Sequence, residues 1–142
     1  MVKEFLTSLI KSAIKKDVKT SKESNTQGER GEIIACKSIK RNGYKVIEKN
    51  FRTRFSEIDI IAEDKECVCF IEVKSRSSID YGYPEEFVTK DKQERIIRAA
   101  LIYAGKKNLW SKQLRFDVIS VDLDTEEVTL IKDAFEVGDK YL

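Results

Sequence analysis

At 142 residues, with 41% apolar side chains, the chain is long enough for one domain with a real core, and its single proline argues against long disordered linkers. A formal net charge of +2 does not by itself mark a nucleic-acid binder. No apolar run approaches the ~20 residues that a membrane-spanning helix needs, and the N-terminus lacks the apolar block and cleavage site of a secretory signal. Cys36, Cys67 and Cys69 are odd in number, and the last two sit at same-face spacing on one strand, where they cannot readily bridge. Reduced thiols in a cytoplasmic protein are the expectation, acting as small buried hydrophobes.

The spacing predicts an amphipathic helix over residues 2–19, with Phe5, Leu6, Leu9, Ile10 and Ile14 in its apolar stripe and lysines beside it. A polar linker follows, so the chain divides into an N-terminal helix and linker (1–26) and a main domain (27–142). A second helix is expected from about 28 to 41, with Ile33, Ala35, Cys36 and Ile39 toward the core and Asn42-Gly43 as its left-handed cap. Three strands follow, at about 44–52, 57–63 and 67–75. A loop through Tyr81-Gly82-Tyr83-Pro84 leads to a third helix over about 90–106, N-capped by Thr89. Strands over 115–122 and 128–131 close the chain. Without the first helix the order is α-β-β-β-α-β-β, which implies an α/β fold (α+β by the stricter label): a mixed sheet with helices on its faces.

The chemistry concentrates in the central hairpin. Glu72 and Lys74 are two apart on one strand and project together, with Val73 on the other side. If Asp59 shares their face across the turn at Glu63-Asp64-Lys65-Glu66, two carboxylates and an ammonium converge. Such a group can hold a hard divalent cation and support hydrolysis of a phosphodiester. The spacing alone also fits an ordinary half-exposed strand, and in a chain with 37% charged residues one E-x-K is expected by chance. Basic residues cluster in two stretches, Lys37 to Arg54 and Lys90 to Arg98. On charge alone these are solvated faces; beside a phosphodiesterase site they become phosphate contacts. Tyr44 and Phe51 read as sheet packing, Trp110 as a loop anchor, and Arg115 with Asp117 as a structural pair on one strand face.

Seven short motifs occur in order: Gly28-x-x-Gly31-Glu32, Gly43-Tyr44, Asn50-Phe51-Arg52, Glu57-Ile58-Asp59, Glu72-Val73-Lys74, Lys92-x-x-Arg95 and Arg115-Phe116-Asp117. Together they resemble the PD-(D/E)xK restriction-endonuclease-like superfamily, and more closely the YraN-type family of small bacterial proteins, related in fold to archaeal Holliday junction resolvases. The likeness spans about residues 28–122. It implies that Asp59 and Glu72 are metal carboxylates, with the Val73 carbonyl as a further ligand, Glu32 completing the acidic cluster and Lys74 orienting the attacking water. Hard oxygen ligands of this kind favour Mg2+ or Mn2+. Arg52, Arg54, Lys92 and Arg95 would border the site as DNA contacts. Ser56 departs from the glycine more usual before Glu-Ile-Asp, which implies a local turn adjustment.

The leading expectation is a metal-dependent DNA endonuclease, with branched or otherwise structured DNA among its candidate substrates. The alternative is a nucleic-acid-binding module of the same fold with little or no turnover. A third class, an interaction protein, rests on the first helix, whose apolar stripe calls for a second copy of the chain, another protein partner or a membrane surface.

Overall fold

The computed structural model describes residues 26–77 and 88–139; the predicted first helix and the loop through Pro84 lie outside the described residues. Helix α1 (Thr26–Arg41) precedes three strands, β1 (Lys45–Arg52), β2 (Glu57–Asp64) and β3 (Cys67–Arg76). Helix α2 (Lys90–Lys107) then leads to β4 (Gln113–Asp122) and β5 (Val128–Phe135). The five strands form one sheet in sequence order. Every neighbouring pair is antiparallel except β3 and β4, which run parallel and are joined through α2. The expected mixed sheet with flanking helices is what the chain forms.

Each helix supplies one half of the core. Ala35, Cys36 and Ile39 of α1 pack with Ile60, Cys69, Ile71 and Ile119. Ile96, Ile97, Ala100 and Tyr103 of α2 pack with Phe70, Val118 and Phe116. Phe70 stacks on Phe116 at 5.6 Å and meets Tyr103 edge-on at 6.0 Å, the arrangements aromatic rings prefer. Burial of such side chains stabilises by roughly 1.5–3 kcal/mol each. Cys36 and Cys69 are buried free thiols, and burial raises the pKa of both.

Local signals set the element ends. Gly43 takes φ +88° after α1, a conformation open to glycine at little cost. Thr89 caps α2 by accepting a hydrogen bond from the Lys92 backbone N–H at 3.1 Å. Three expectations change. Ile33 is 52% exposed because it falls off the stripe set by Ala35, Cys36 and Ile39, and Ile34 packs partly in its place. Trp110 is 39% exposed; its neighbour Leu109 packs on the α2-side core instead. Strand β5 runs on to Phe135, whose ring stacks on Phe116 at 5.0 Å and draws the chain along the sheet.

One detail of register positions the site. The β2–β3 ladder runs from Asp64 opposite Cys67 to Ile60 opposite Ile71 and stops there. Beyond that point β2 stays paired with β1 as far as Glu57 opposite Arg52, while β3 stays paired with β4 as far as Arg76 opposite Asp122. A fork therefore opens between β2 and β3 at Asp59 and Glu72.

Candidate active site

Splitting a ladder leaves backbone groups to satisfy. At this fork the Asp59 carboxylate does so: its Oδ2 accepts from the Val73 backbone N–H at 2.8 Å. Asp59 is thereby fixed beside β3, on strand positions that the hydrophobic pattern of β2 and β3 keeps in register. Asp59, Glu72 and Val73 line a cavity of about 570 Å³, with Glu32 entering from α1 and Ser75 and Arg76 from the end of β3. Lys74 Nζ lies 3.8 Å from Glu72 Oε1. Three of the four residues expected from sequence, Glu32, Asp59 and Glu72, thus line one concavity, and the fourth, Lys74, is tied to it through Glu72.

Helix α1 comes this close to β3 because residue 31 is glycine. A β-carbon there would collide with the Ser75 side chain and lie 3.9 Å from Leu123. The next residue, Glu32, is then delivered to the mouth of the fork.

Two further polar residues belong to the cluster. One carboxylate oxygen each from Glu32, Glu57 and Asp59 fall within 4.8 Å of one another. The Asn50 amide sits between them: once its oxygen and nitrogen are exchanged, the orientation its neighbours call for, the nitrogen can donate to Glu57 Oε1 at 2.8 Å and to Glu32 Oε2 at 3.1 Å. Glu57 is two residues from Asp59 and could have been found by the same-face rule that picked out Glu72 and Lys74. Asn50 has no such signal. It takes φ 54° in a strand whose register shifts between Val46 and Glu48, and neither feature is written in the hydrophobic pattern.

The electrostatics are those of crowded carboxylates. Burial, then repulsion from Glu72, push the pKa of Asp59 up to about 7. Burial also raises Glu72, opposed by the positive charges of Lys92 and Lys74 and by a hydrogen bond with Asp59. Ser56 is buried in the turn ahead of β2 and accepts a hydrogen bond from Lys92 Nζ at 3.2 Å. The serine at this position thus docks a lysine of α2 near the two carboxylates. Among the other expected DNA contacts, Arg52 pairs with Glu57 at 3.3 Å, so it borders the cluster. Arg95 pairs with Asp91 at 3.1 Å along its own helix. Arg54 stands exposed in the turn between β1 and β2.

The donors are suited to a cation. Carboxylate oxygens with one amide, and neither thiol nor imidazole, make a hard ligand set that matches Mg2+ or Mn2+ and offers little to softer metals. The close approach of Asp59 and Glu72 is costly in itself, and a bound positive charge would offset it.

Comparison with known proteins places the chain in a group. The model of the uncharacterised protein family UPF0102 matches residues 31–121. The chain belongs to the UPF0102 family. A UPF0102 protein of Acetivibrio thermocellus is 46% identical over 116 residues, covering 76% of this chain and 89% of the relative. One from Syntrophus aciditrophicus is 47% identical over 113 residues, covering 78% and 89%. A third, from Persephonella marina, is 42% identical over 111 residues, covering 78% and 94%. The matched UPF0102 region contains every residue of the acidic cluster and both lysines beside it. Among the described residues no helix is long and apolar enough to cross a membrane.

Proposed function

We propose that this protein is a metal-dependent DNA endonuclease of the PD-(D/E)xK type, close to the YraN-type group and related in fold to Holliday junction resolvases. The observation that carries this reading is the fork itself: Asp59 and Glu72 brought together where β2 and β3 part, with Lys74 at 3.8 Å from Glu72. Asp59, Glu72, Glu32 and Glu57 would hold the cation, Mg2+ or Mn2+. When bound, it would activate a water and neutralise charge building on the phosphoryl group.

The chain's own residues supply the rest. The Val73 N–H fixes the orientation of Asp59. Lys74 brings an ammonium to the edge of the site, where it can orient the attacking water and stabilise charge in the transition state. Lys92, held by Ser56, adds a second cation within electrostatic reach of both carboxylates. Structured or branched DNA is the substrate class this reading favours, and the cytoplasm is the compartment that suits its free cysteines.

The test is a panel of linear, single-stranded, flapped and four-way DNA incubated with Mg2+ or Mn2+. Wild-type protein should cleave at least one of these, and Lys74→Ala should lower the rate by about 100-fold or more while binding persists. Binding without cleavage by wild type on every substrate would overturn the nuclease reading in favour of a binding module.

A further inference from the structure

Strand β1 sorts its charges by face. Residues opposite one another on paired strands share a face of the sheet. Lys49 stands opposite Ile60, which packs in the α1-side core. Its neighbour Glu48 stands opposite Ile61, which packs in the α2-side core. Lys49 therefore projects to the α1 side, away from the carboxylate next to it in the chain. There α1 contributes Lys40, with Lys37 beside it one turn earlier. All three lysines are exposed. Lys40 and Lys49 both act on the buried Cys36 thiol: burial raises its pKa, and the positive charges of Lys49 and Lys40 oppose the rise. A helix and a strand thus bring two ammonium groups within electrostatic reach of one sulfur.

These cations are left unneutralised. The chain has 25 acidic side chains for 27 basic ones, and several are spent on ion pairs: Arg30 with Glu126, Arg52 with Glu57, Arg95 with Asp91 and Lys132 with Asp64. Among the described residues no carboxylate lies at ion-pair distance from Lys37, Lys40 or Lys49. The negative end of the α1 dipole favours Lys40, in the last turn of the helix. It gives no reason for Lys49, which comes from a strand. Like charges gathered in this way repel one another, and a polyanion laid across them offsets the repulsion.

The lysines also adjoin the acidic site. Lys49 directly precedes Asn50, which sits between Glu57 and Glu32. Cys36 and Lys40 follow Glu32 by one and two turns of α1, roughly 6 and 12 Å along the helix axis. A nucleic-acid strand with one phosphate at the acidic cluster would carry neighbouring phosphates past Lys40 and Lys49. Contacts to phosphate oxygens position a backbone and are indifferent to sequence.

We propose that Lys37, Lys40 and Lys49 form a phosphate-binding track on the α1–β1 side of the protein, leading a nucleic-acid backbone to the acidic site. This assignment rests on the nuclease reading above and adds contacts outside the seven sequence motifs.

The experiment is binding of two labelled DNA duplexes of unrelated sequence, followed by fluorescence anisotropy across a salt series, with Ca2+ present. Lys40→Gln and Lys49→Gln should each weaken binding of both sequences by the same factor and flatten the salt slope by about one unit, and the double variant by about two. Lys49→Arg keeps the charge and should bind as wild type does. Lys112→Gln is the control: it removes one exposed charge from the connection after α2, where its backbone N–H donates to the Leu109 carbonyl at 2.9 Å, and should leave binding unchanged. Circular dichroism checks each variant, and Lys40→Gln, on an exposed helix face, carries the test should Lys49→Gln fail to fold. Glutamine variants at 40 and 49 that keep the wild-type affinity and salt slope would overturn the track alone, as would a loss confined to one of the two sequences. Wild-type protein that binds neither duplex would overturn the nuclease reading and the track together.

Discussion

Asp59 works against folding. Its carboxylate is pushed up to about 7 by burial and then by Glu72, so at pH 8 the native state carries a charge that the unfolded chain holds more easily. Asp59→Asn keeps an oxygen to accept from the Val73 N–H while removing that charge. The variant should therefore be more stable than wild type in EDTA at pH 8, on the order of 1–3 kcal/mol by urea unfolding. Mn2+ should stabilise wild type and leave Asp59→Asn nearly unmoved. An asparagine variant less stable than wild type would show that the carboxylate is a structural asset. Asp59, Glu72 and Lys74 were legible because strand periodicity puts residues two apart on one face. Glu57, two residues before Asp59, obeys the same rule. Asn50 could not be read at all, since its place depends on a left-handed backbone and a shifted register.

At the level of elements, the contact between α1 and β3 decides whether Glu32 reaches the fork. A methyl group at position 31 would run into the Ser75 side chain. Gly31→Ala gains helix propensity, about 1 kcal/mol, but overpacking costs roughly 1–3 kcal/mol and pushes the helix off the strand. The expected net result is a loss of up to about 2 kcal/mol together with weaker cation binding. Adding Ser75→Ala removes the colliding oxygen and should recover most of both losses in a double-mutant cycle. A loss that Ser75→Ala leaves untouched would place the strain elsewhere. The glycine was visible in sequence as part of a motif, but its partner lies 44 positions away on another element. The caps at Gly43 and Thr89 were readable because they act within their own turn. The length of β5 was not, because Phe135 answers to Phe116 across the sheet.

The whole molecule separates satisfied charge from crowded charge by placing them at opposite ends of the central hairpin. At the fork, carboxylates crowd one another. At the turn end, Arg115 binds Asp117 through Nε and a terminal nitrogen at 2.8 Å each, and reaches Asp64 at 2.9 Å and the Tyr44 hydroxyl at 2.8 Å. Lys132 of β5 adds a contact to Asp64 at 3.2 Å, and the Asp133 N–H donates to Asp117 at 2.9 Å. The network ties β2, β4, β5 and the start of β1 together. Sequence predicted only the Arg115–Asp117 pair, two residues apart; Asp64 and Tyr44 lie 51 and 71 positions from the arginine. Arg115→Met would leave Asp117 fully buried beside fewer donors, at a cost of about 3–5 kcal/mol. Acid offers a finer test through Asp64. Desolvation raises its pKa, but hydrogen bonds from Arg115 and Lys132 outweigh this and hold it below the ordinary 3.8. A lowered folded-state pKa means that the stabilisation is present above about pH 4 and fades as pH falls through the lower native value. Asp64→Asn should accordingly be less stable than wild type at pH 7, with the gap narrowing as unfolding is repeated toward pH 3. A gap that stayed constant from pH 7 to pH 3 would mean that Asp64 contributes through shape and hydrogen bonding alone, with no share from its charge.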